Sequence, residues 1–519
     1  MKLNQYRYLL LLLALITFVG MARYVMPFPA DFEDSYIMDR YAQNGVDGFL
    51  YEWNQHSAPV QGTTGLAWVT LVTAVARLTR GNVVSVNSYS GLIFAILTLV
   101  AVYAAAVRSL KPGSRWVAVC ALIPIISCPF FLRASGNGLE TSITVFFVAL
   151  SVYFLHYCRG SLKESLLLGL FSGFTFLVRP DLPLFPVSLY LSQLVLLDAS
   201  KTARAKSGLA LLGGVVAASL ISLLLAKVST GTALPLSASL KLALSDLLLG
   251  RLPAQAYIHL FGDQLKFFGD LLPLVFLAIF SVMLTGLRGS RKYLPIYFAT
   301  AVYFAYLFTV LPIMDIGFRF KLPLQIGMAF AVIHFFDATE QAGLLEGRRH
   351  LLIIMVTILV ALGNSANLFS EKKDVVFLRA DHTDFQQMGE ALGKIDGIII
   401  ASPEAGKLAA ASGKKFLDMV GLNDVFIAQH KKSPDYPALL LNYLKTDFGM
   451  PDVYIRKTHT PDPRYTYLEI LPDFNKIYLC NNSDNAERTG KVVCLYKSGS
   501  HLKEIASSLA PFDIQIGLP

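Results

Sequence analysis

Charged residues are scarce in this sequence, and that scarcity excludes an ordinary soluble protein. Asp, Glu, Lys and Arg make up 16% of the 519 residues, whereas hydrophobic residues make up 54%. Soluble domains carry about 25% charged residues. The deficit is concentrated in residues 1–370, where apolar runs such as 207–226 and 350–363 alternate with short polar gaps. Runs of roughly 18–20 apolar residues are typical of membrane-spanning helices.

The composition of the chain changes at about Asn367, after which charged residues of both signs, Gly, Pro and Asp are frequent. We therefore predict a polytopic α-helical membrane domain over residues 1–370 and one soluble C-terminal α/β domain over residues 371–519, which is near the common domain size. About 11 transmembrane helices are expected. They lie near residues 8–20, 88–107, 116–131, 141–157, 164–178, 182–198, 207–227, 270–287, 293–311, 323–340 and 350–367.

Motifs for several common cofactors are missing. The chain has no CxxC, HExxH, GxxxxGK[ST] or GxGxxG pattern, which removes the usual sequence signatures of zinc, P-loop and dinucleotide sites. No ligand set is diagnostic of a metal, so no cofactor is assigned and a divalent metal stays an open alternative. The net charge of +9 would suit nucleic acid. The basic residues of the membrane domain instead fill short gaps between apolar runs, so no nucleic acid partner is expected.

Cysteine is also rare, with five in the chain. Cys480 and Cys494 are the only pair in the C-terminal domain, and they lie in two strand-like runs on either side of the turn-rich segment 481–490. This arrangement predicts a disulfide across a hairpin in an oxidising compartment. The alternative is a pair of buried thiols.

The polar gaps alternate in their Lys and Arg content, which predicts the orientation of the chain. Basic gaps belong in the cytoplasm by the positive-inside rule. They are residues 1–7, 108–115, 159–165, 201–206, 288–292 and 348–350. The N-terminus is therefore expected in the cytoplasm, and the intervening gaps and everything after about Asn367 are expected outside.

Two apolar segments leave alternatives open. Thr64–Leu78 is short and carries Arg77 at its end, so we interpret it as an interfacial or re-entrant helix of the first outer loop. A full span there would place the basic gap 108–115 outside, against the charge rule. The first segment also resembles a secretory signal with a cleavage site near Ala22. We expect it to be retained, and the loop after it lies outside in either case.

Three carboxylates, Asp31, Glu33 and Asp34, follow directly after the first apolar segment. Acids near hydrocarbon are costly and usually functional. One of them can cap a helix, since Asp31 and Asp34 have the spacing of a capping box, but capping does not account for all three. Catalysis is therefore the favoured interpretation.

Other polar residues collect at the outer ends of the predicted spans, and they share one membrane depth. They are Arg40, Asn44, His56, Gln61, Glu140, Arg179, Asp181, Arg319 and Lys321. Convergent acids and bases at one face favour a site for a charged or polar substrate. The alternatives are a helix N-terminus for Glu140 and interfacial anchoring for the basic residues.

The first outer loop carries a resemblance to a known family. The stretch 33-EDSYIMDRYAQNGVDGF-49, followed by 59-PVQGTTGLAW-68, resembles the first outer loop of GT-C glycosyltransferases, closest to the bacterial terminal arabinofuranosyltransferases. That family has a DD-A-[FY]-I-x-x-R-Y-A-x-N pattern before V-E-G-[YF]-T. Glu33-Asp34 stands at the DD, Arg40 at the Arg, Asn44 at the Asn and Gln61 at the acid of V-E-G.

Further segments match the same family. The segments 138-GLET-141 and 179-RPD-181 resemble its GLET and RPE elements, and 418-DMVGLNDVFIAQH-430 resembles its D-x-x-G-L-x-D-x-x-I-A segment. Two positions depart from the pattern, because Glu33 replaces an Asp and Gln61 replaces an acid. The intact acid is Asp34.

The resemblance implies a GT-C-like fold, a bacterial inner membrane, and a polyprenyl-phosphate sugar donor, with decaprenyl-phospho-arabinofuranose or a relative expected. The acceptor would be an extracytoplasmic glycan or glycoprotein. Asp34 is expected as general base, Glu33 as its helper and Asp31 as a further catalytic candidate. The expected donor-phosphate ligands are Arg319, Lys321 and Arg179. The expected substrate ligands are Arg40, Asn44, His56, Gln61, Glu140 and Asp181.

One acid suffices for direct displacement, so the sequence predicts inversion at the anomeric carbon. A membrane transporter or lipid-linked-sugar flippase is the rival hypothesis, since it also explains charges among apolar spans. Transporters place such charges near the midplane of inverted repeats, whereas here no such repeat is evident and the charges cluster at one face.

Overall fold

The computed structural model describes residues 5–26, 32–237, 254–309, 316–344, 349–365, 372–373, 384–457, 468–480, 491–512 and 514. Up to Ser365 the described chain is almost entirely helical. Its α-helices are α1 (Arg7–Val25), α2 (Ser35–Val46), α3 (Leu66–Thr79), α4 (Val83–Ser109), α5 (Ile123–Ile126), α6 (Pro129–Ala134), α7 (Thr141–Phe154), α8 (Leu162–Phe174), α9 (Leu184–Leu196), α10 (Lys201–Thr230), α11 (Ala254–Gly289), α12 (Leu294–Leu307), α13 (Leu322–Gln341) and α14 (Arg349–Ser365).

The chain is a multi-pass membrane protein by the length and composition of its helices. Among the described residues, five helices are long and apolar enough to cross a membrane: Arg7–Val25, Val83–Ser109, Lys201–Thr230, Leu271–Gly289 and Arg319–Gln341. Six further apolar helices of 10–17 residues accompany them in the described part. The predicted count of about 11 spans is therefore not confirmed.

The predicted span 116–131 shows one physical reason for the difference. It is divided between a 3₁₀-helix, Pro112–Ala121, and the two short helices α5 and α6. Pro124 and Pro129 lie in the first turns of α5 and α6. Proline lacks an amide hydrogen and clashes with the preceding turn of a helix, so this apolar run does not form one continuous helix.

Helix α13 is the centre of the membrane part. Every residue from Leu322 to Thr339 is buried, as expected for a helix that is apolar on all faces. It packs against α7, α11, α12 and α14. At another contact, α8 and α10 approach so closely that a Cβ atom on Gly169 would lie 2.1 Å from the carbonyl oxygen of Leu211. Small residues permit such close approach between membrane helices.

The segment predicted to be the first outer loop contains α2 and α3, and we keep that name for it. Helix α3 has 14 residues and is about 21 Å long at 1.5 Å per residue, which is shorter than a hydrocarbon core of about 30 Å. It packs against α2 and α4. The interfacial interpretation of Thr64–Leu78 stays a prediction, and this length agrees with it.

The C-terminal part is an α/β region built on a five-stranded sheet in the order β2-β1-β3-β5-β4. The strands are β1 (Ile399–Ser402), β2 (Lys415–Asp418), β3 (Val453–Lys457), β4 (Tyr478–Cys480) and β5 (Lys491–Tyr496). Strand β1 runs parallel to β2 and β3, while β5 runs antiparallel to β3 and β4. The helices are α15 (384–392), α16 (Lys407–Ser412), α17 (Val425–His430), α18 (Tyr436–Tyr443), α19 (Phe474–Ile477) and α20 (Leu502–Leu509).

Cys480 and Cys494 lie directly opposite each other on β4 and β5 and form a disulfide. Cys120, Cys128 and Cys158 are buried and form no disulfide within the described chain. The predicted pairing across a hairpin is the pairing that the structure contains.

The α/β region rests on the first outer loop. The Asn54 side chain meets the backbone of edge strand β2, where the Phe416 amide donates to Asn54 Oδ1 over 2.8 Å and Asn54 Nδ2 donates to the Phe416 carbonyl over 3.1 Å. Trp53 Nε1 donates to that same carbonyl over 3.1 Å. These contacts cover an edge that would otherwise be free to pair with another strand.

Candidate active site

Asp34 lies at the start of α2, where the chain enters the first outer loop. Its carboxylate makes no capping hydrogen bond to the described first turn of that helix. Instead Asp34 Oδ2 lies 3.5 Å from Arg319 Nη1, with the Asp34 side chain 32% exposed and the Arg319 side chain 10% exposed. Asp34 therefore occupies the helix start without serving as its side-chain cap, and its carboxylate is open to solvent.

Arg319 and Arg179 share one aromatic platform, the buried ring of Phe320. The Arg179 guanidinium carbon lies 4.2 Å from the ring centroid and that of Arg319 lies 5.3 Å from it. The 3₁₀-helix Ile316–Lys321 presents this segment just before α13, and Lys321, the N-cap of α13, is buried. Cations over an aromatic face are attracted by its quadrupole. The structure thus brings together two of the three predicted phosphate ligands.

The two arginines differ in how their donors are used. Arg179 donates through Nε and Nη2 to the two oxygens of Asp181, over 3.0 and 3.1 Å. Arg319 Nε is buried and has no hydrogen-bond partner within the described part of the chain. The guanidinium group of Arg179 is therefore engaged in a bidentate pair with Asp181, whereas Arg319 has a buried N–H donor available for an anion.

Asp181 is held as a carboxylate by this pairing. Tyr303 donates to Asp181 Oδ2 over 3.0 Å. Burial alone would raise the pKa of the Asp181 carboxyl, but the charge and hydrogen bonds of Arg179 and the bond from Tyr303 hold that pKa below its ordinary value. Glu140 is buried next to this group and contributes to the negative charge around Arg179. Glu140 is the residue before α7, and its side chain makes no cap hydrogen bond within the described chain.

Glu33 points away from Asp34, into the contact with the α/β region. Its Oε1 accepts a hydrogen bond of 3.0 Å from the Lys407 amide at the start of α16. A Cβ atom on Gly406 would lie 2.3 Å from that same Oε1, so this close approach requires glycine. Burial, with Glu404 and Asp34 nearby, raises the pKa of Glu33 to about 8. Asp31 lies outside the described residues, so its expected role stays a prediction.

Arg40 and Asn44 lie further along α2 and contact the protein backbone. Arg40 donates through Nε to the Trp53 carbonyl over 2.9 Å and through Nη2 to the Lys414 carbonyl over 2.7 Å. Asn44 Nδ2 donates to the Glu52 carbonyl over 2.8 Å. Both residues, and the exposed His56, also line a cavity of about 880 Å³ between the first outer loop and the α/β region. These predicted substrate ligands therefore lie apart from the Asp34 cluster, which consists of Asp34, Arg179, Asp181, Tyr303, Arg319 and Phe320.

Gln61 is buried where the outer loop meets the loop after β2. Its backbone carbonyl accepts from the Leu236 amide over 3.0 Å, and its Oε1 has no partner in the described chain. In the facing loop, Asp418 accepts from the Val420 and Asn423 amides over 2.9 Å each, and burial raises its pKa to about 6. This loop meets the chain at Gly62, the residue after Gln61, where an added Cβ atom would lie 2.0 Å from Asn423 Oδ1. The segment 418–430 is therefore packed against the residue next to Gln61 rather than against Asp34.

An apolar groove of about 470 Å³ runs between α11, α12 and α13. It begins at Leu324, five residues after Arg319, which corresponds to about 8 Å along a helix. Its lining includes Val275, Ile279, Phe304 and Met328. The groove is large and apolar enough for part of a lipid chain to lie beside the Arg319 cluster.

Two members of the cluster, Phe320 and Tyr303, are not predicted by the sequence patterns. Phe320 lies between Arg319 and Lys321, and this position between two candidate ligands could have indicated it. Tyr303 sits within the apolar helix α12, where a single phenol gives no signal in the sequence. Among the described residues, no three His, Cys, Asp or Glu side chains are grouped so that they could hold a metal ion.

Comparison with known proteins gives a fold. No family model matches the chain, and no curated protein matches it. Solved structures of the oligosaccharyltransferase from Archaeoglobus fulgidus do match. The form tethered by a disulfide to an acceptor peptide with the NVT sequon has a TM-score of 0.54 at 12% identity, over 92% of this chain and 73% of that one. A second structure of that archaeal enzyme, AglB, contains an inhibitory peptide and a dolichol-phosphate. Its TM-score is 0.52 at 11% identity, and the match covers 92% of this chain and 73% of that one.

The chain has the fold of these oligosaccharyltransferase structures, which is of the GT-C type. This confirms the GT-C-like fold expected from the first outer loop, including a C-terminal α/β region after the helices. At 11–12% identity the likeness concerns the fold, so the closeness to arabinofuranosyltransferases stays a prediction. In this chain the Asp34 cluster and the cavity beside Arg40 are two separate candidate sites.

Proposed function

We propose that this protein is an inverting GT-C glycosyltransferase. It moves a sugar, with arabinofuranose as the expected one, from a polyprenyl-phosphate donor to an extracytoplasmic glycan or glycoprotein. The observation that carries the proposal is the cluster in which the open carboxylate of Asp34 lies 3.5 Å from Arg319, beside Arg179 and Phe320. A carboxylate and a cation so placed supply the two groups that such a transfer needs.

Asp34 and Arg319 each have one role in the proposed reaction. The acceptor hydroxyl attacks the anomeric carbon and gives its proton to Asp34, because a hydroxyl is a poor nucleophile without a base. The bond from the anomeric carbon to the phosphate oxygen breaks, and the polyprenyl phosphate leaves with the electron pair. Arg319 stabilises the charge that develops on that phosphate. A single displacement inverts the anomeric centre.

Asp34 is the better base of the neighbouring pair. Glu33 is buried against α16 with its pKa raised to about 8, so it is largely protonated near neutral pH and covered by protein. In this proposal Glu33 positions the α/β region over the catalytic cluster. Arg179 and Lys321 contribute positive charge near the phosphate, and Asp181 keeps Arg179 in place.

The apolar groove accounts for the lipid part of the donor. It is lined by α11, α12 and α13 and starts one to two turns beyond Arg319. A phosphate at Arg319 can therefore continue into a prenyl chain that lies in the groove. The dolichol-phosphate named in one AglB structure is a ligand of the same chemical kind, which supports this class of donor.

Location follows from the alternation of basic gaps. We place the membrane domain, residues 1–370, in the bacterial inner membrane with the N-terminus in the cytoplasm, and the domain 371–519 on the outer side. The Asp34 cluster would then meet its substrates outside the cytoplasm. A phosphatase fused after Lys372 should be active in a bacterial host, and one fused after Arg291 should be inactive.

The function is tested with purified protein in lipid nanodiscs. The protein is incubated with a neutral glycan acceptor and a panel of polyprenyl-phosphate sugars that includes the arabinofuranosyl donor, and sugar transfer is measured by mass spectrometry. Transfer from at least one polyprenyl donor, and none from the matching nucleotide sugars, is expected. No transfer from any polyprenyl donor would contradict the proposal.

A further inference from the structure

A second large cavity lies away from the Asp34 cluster. It has a volume of about 880 Å³ and is walled on one side by α2 and the loop after it, and on the other by α17, α18 and the ends of β2. Gln43 and Asp47 line it at the far end of α2. Asp34 lies six residues before Arg40 and thirteen before Asp47, which are the first and last residues along α2 and its C-cap that line the cavity. At about 1.5 Å per residue, the cavity therefore extends from about 9 Å to about 20 Å from Asp34 along the helix.

The cations that line this cavity already have hydrogen-bond or ion-pair partners within the protein. Arg40 donates to backbone carbonyls, including that of Lys414. Lys414 Nζ lies 3.3 Å from Asp396. Lys415 Nζ donates to the Phe448 carbonyl over 2.6 Å and lies 4.6 Å from the centroid of its ring. A phosphate would therefore have to compete with bonds already made.

The carboxylates of the cavity are engaged in the same way. Asp47 Oδ2 accepts from Gln55 Nε2 over 3.3 Å. Asp424 caps α17 and accepts from the Tyr443 hydroxyl over 2.9 Å. Asp447 accepts from the Thr446 hydroxyl over 2.7 Å. Three cations and three carboxylates thus line the cavity, and their balance favours a neutral ligand over a charged one.

The cavity combines aromatic rings with amide side chains. Phe426 stacks on Tyr443 with a centroid distance of 4.1 Å and an interplanar angle of 12°, and on His430 with 4.4 Å and 23°. His430 Nδ1 contacts the Phe426 carbonyl over 2.9 Å, which requires a proton on Nδ1 and leaves Nε2 as an acceptor in the neutral ring. Amides from Gln43, Gln55 and Gln429 also line the space.

Sugars match this chemistry. A sugar hydroxyl both donates and accepts hydrogen bonds, as an amide side chain does, and the C–H face of a sugar ring packs on an aromatic ring. We propose that this cavity is a binding site for a neutral oligosaccharide, distinct from the catalytic cluster. As the place that holds the acceptor at a distance from Asp34, it rests on the proposed function; as a carbohydrate site it stands on the cavity alone.

The separation of about 9 Å between Asp34 and the near edge of the cavity, and of about 20 Å to its far edge, has a consequence for the acceptor. A single sugar cannot occupy the cavity and reach Asp34 at once, whereas an oligosaccharide can. The cavity would therefore select acceptors by length. An acceptor of several sugars should have a lower KM than a monosaccharide with the same terminal residue.

The test begins with binding in the absence of donor. The full-length protein in nanodiscs is titrated with a neutral arabinofuranosyl hexasaccharide, with the matching monosaccharide, and with inorganic phosphate, by saturation-transfer NMR and calorimetry. Saturable binding of the hexasaccharide, stronger than that of the monosaccharide and of phosphate, is expected. Absence of hexasaccharide binding, or stronger binding of phosphate at this cavity, would overturn the inference.

Two variants locate the site. Gln429→Ala removes an exposed amide, and Phe426→Leu keeps apolar volume but removes the ring face. Each should weaken hexasaccharide binding by roughly 3- to 10-fold, and each should raise KM for the hexasaccharide in the transfer assay. Gln387→Ala, an exposed glutamine of α15, is the matched control and should bind as the wild type does. Equal binding by all three variants would place the oligosaccharide elsewhere.

The result also separates the two proposals. If the hexasaccharide binds in this cavity and no sugar is transferred from any polyprenyl donor, the glycosyltransferase proposal fails and the carbohydrate site stands. If transfer occurs but the hexasaccharide neither binds in the cavity nor is used at lower concentration than the monosaccharide, the carbohydrate site fails and the glycosyltransferase stands.

Discussion

Replacement of Asp34 by Asn separates a catalytic base from a structural acid. The substitution keeps the size of the side chain and removes its ability to take a proton. The folded state loses little, because Asp34 makes no side-chain cap hydrogen bond within the described first turn of α2 and its pair with Arg319 is a 3.5 Å contact of a 32% exposed side chain. Ion pairs of exposed groups contribute about 0.2–1 kcal/mol.

The catalytic loss is expected to be much larger. Removal of a general base lowers turnover by roughly 10²–10⁴-fold, and at 1.36 kcal/mol per tenfold change this is about 2.7–5.4 kcal/mol in the activation barrier. Initial rates at saturating donor, measured beside thermal unfolding of the same preparation, compare the two quantities. Turnover should collapse while the melting temperature of the variant changes little.

The chain contains a matched control for this experiment. Asp198 pairs with Arg291 over 2.7 Å and its side chain is 89% exposed, so Asp198→Asn also breaks an Asp–Arg pair, far from α2 in the sequence. It should keep wild-type turnover. Near-normal transfer by Asp34→Asn would refute the reasoning, because Asp34 would then only pair with Arg319, and Asp31 or Glu140 would become the next candidate base.

Three further predictions follow from the same contacts. Arg319→Lys keeps the charge but loses the planar fork, so KM for the donor should rise while KM for the acceptor changes little, and Arg319→Ala should be worse; unchanged donor kinetics in Arg319→Ala would leave it only an anchor. Burial raises the pKa of Glu33 from 4.5 to about 8, so the folded state binds more protons between these pH values and its stability falls as pH rises through them. Glu33→Gln should therefore remove that part of the fall in melting temperature between pH 5 and 9. Identical pH profiles of melting temperature for the variant and the wild type would count against this prediction. Non-reducing mass spectrometry should find Cys480 linked to Cys494, and two free thiols in protein from the native envelope would contradict an oxidising compartment.

The sequence predicted that residues 1–370 form membrane helices better than it predicted how many helices span the membrane. Apolar runs and basic gaps indicate where helices lie, because hydrophobicity along the chain reports burial in lipid or protein. They do not reveal where proline divides a run, as at Pro124 and Pro129, nor that α13 is enclosed on all sides by other helices. Helices α9 and α12 have 13 and 14 residues, which is shorter than the predicted spans 182–198 and 293–311 in which they lie, so their length alone does not assign them as spans.

The candidate site was predictable in its charged members but not in its arrangement. Acids and arginines next to apolar runs stand out in a sequence because their burial is costly, and on this basis Asp34, Arg179 and Arg319 could be selected. The sequence could not show that Glu33 turns towards Lys407 while its neighbour turns towards Arg319. That choice depends on contacts with a segment more than 370 residues away, which no local pattern encodes.

The most direct test of the central claim uses proteoliposomes that carry the polyprenyl-phosphate sugar in their membrane and the neutral acceptor in the surrounding solution. Released polyprenyl phosphate and glycosylated acceptor are quantified together in the same sample. The account predicts that both form in equal amounts, that Asp34→Asn loses both, and that Asp198→Asn keeps both. Movement of the intact lipid-linked sugar to the other leaflet, with no polyprenyl phosphate released, would contradict a glycosyltransferase and identify a flippase.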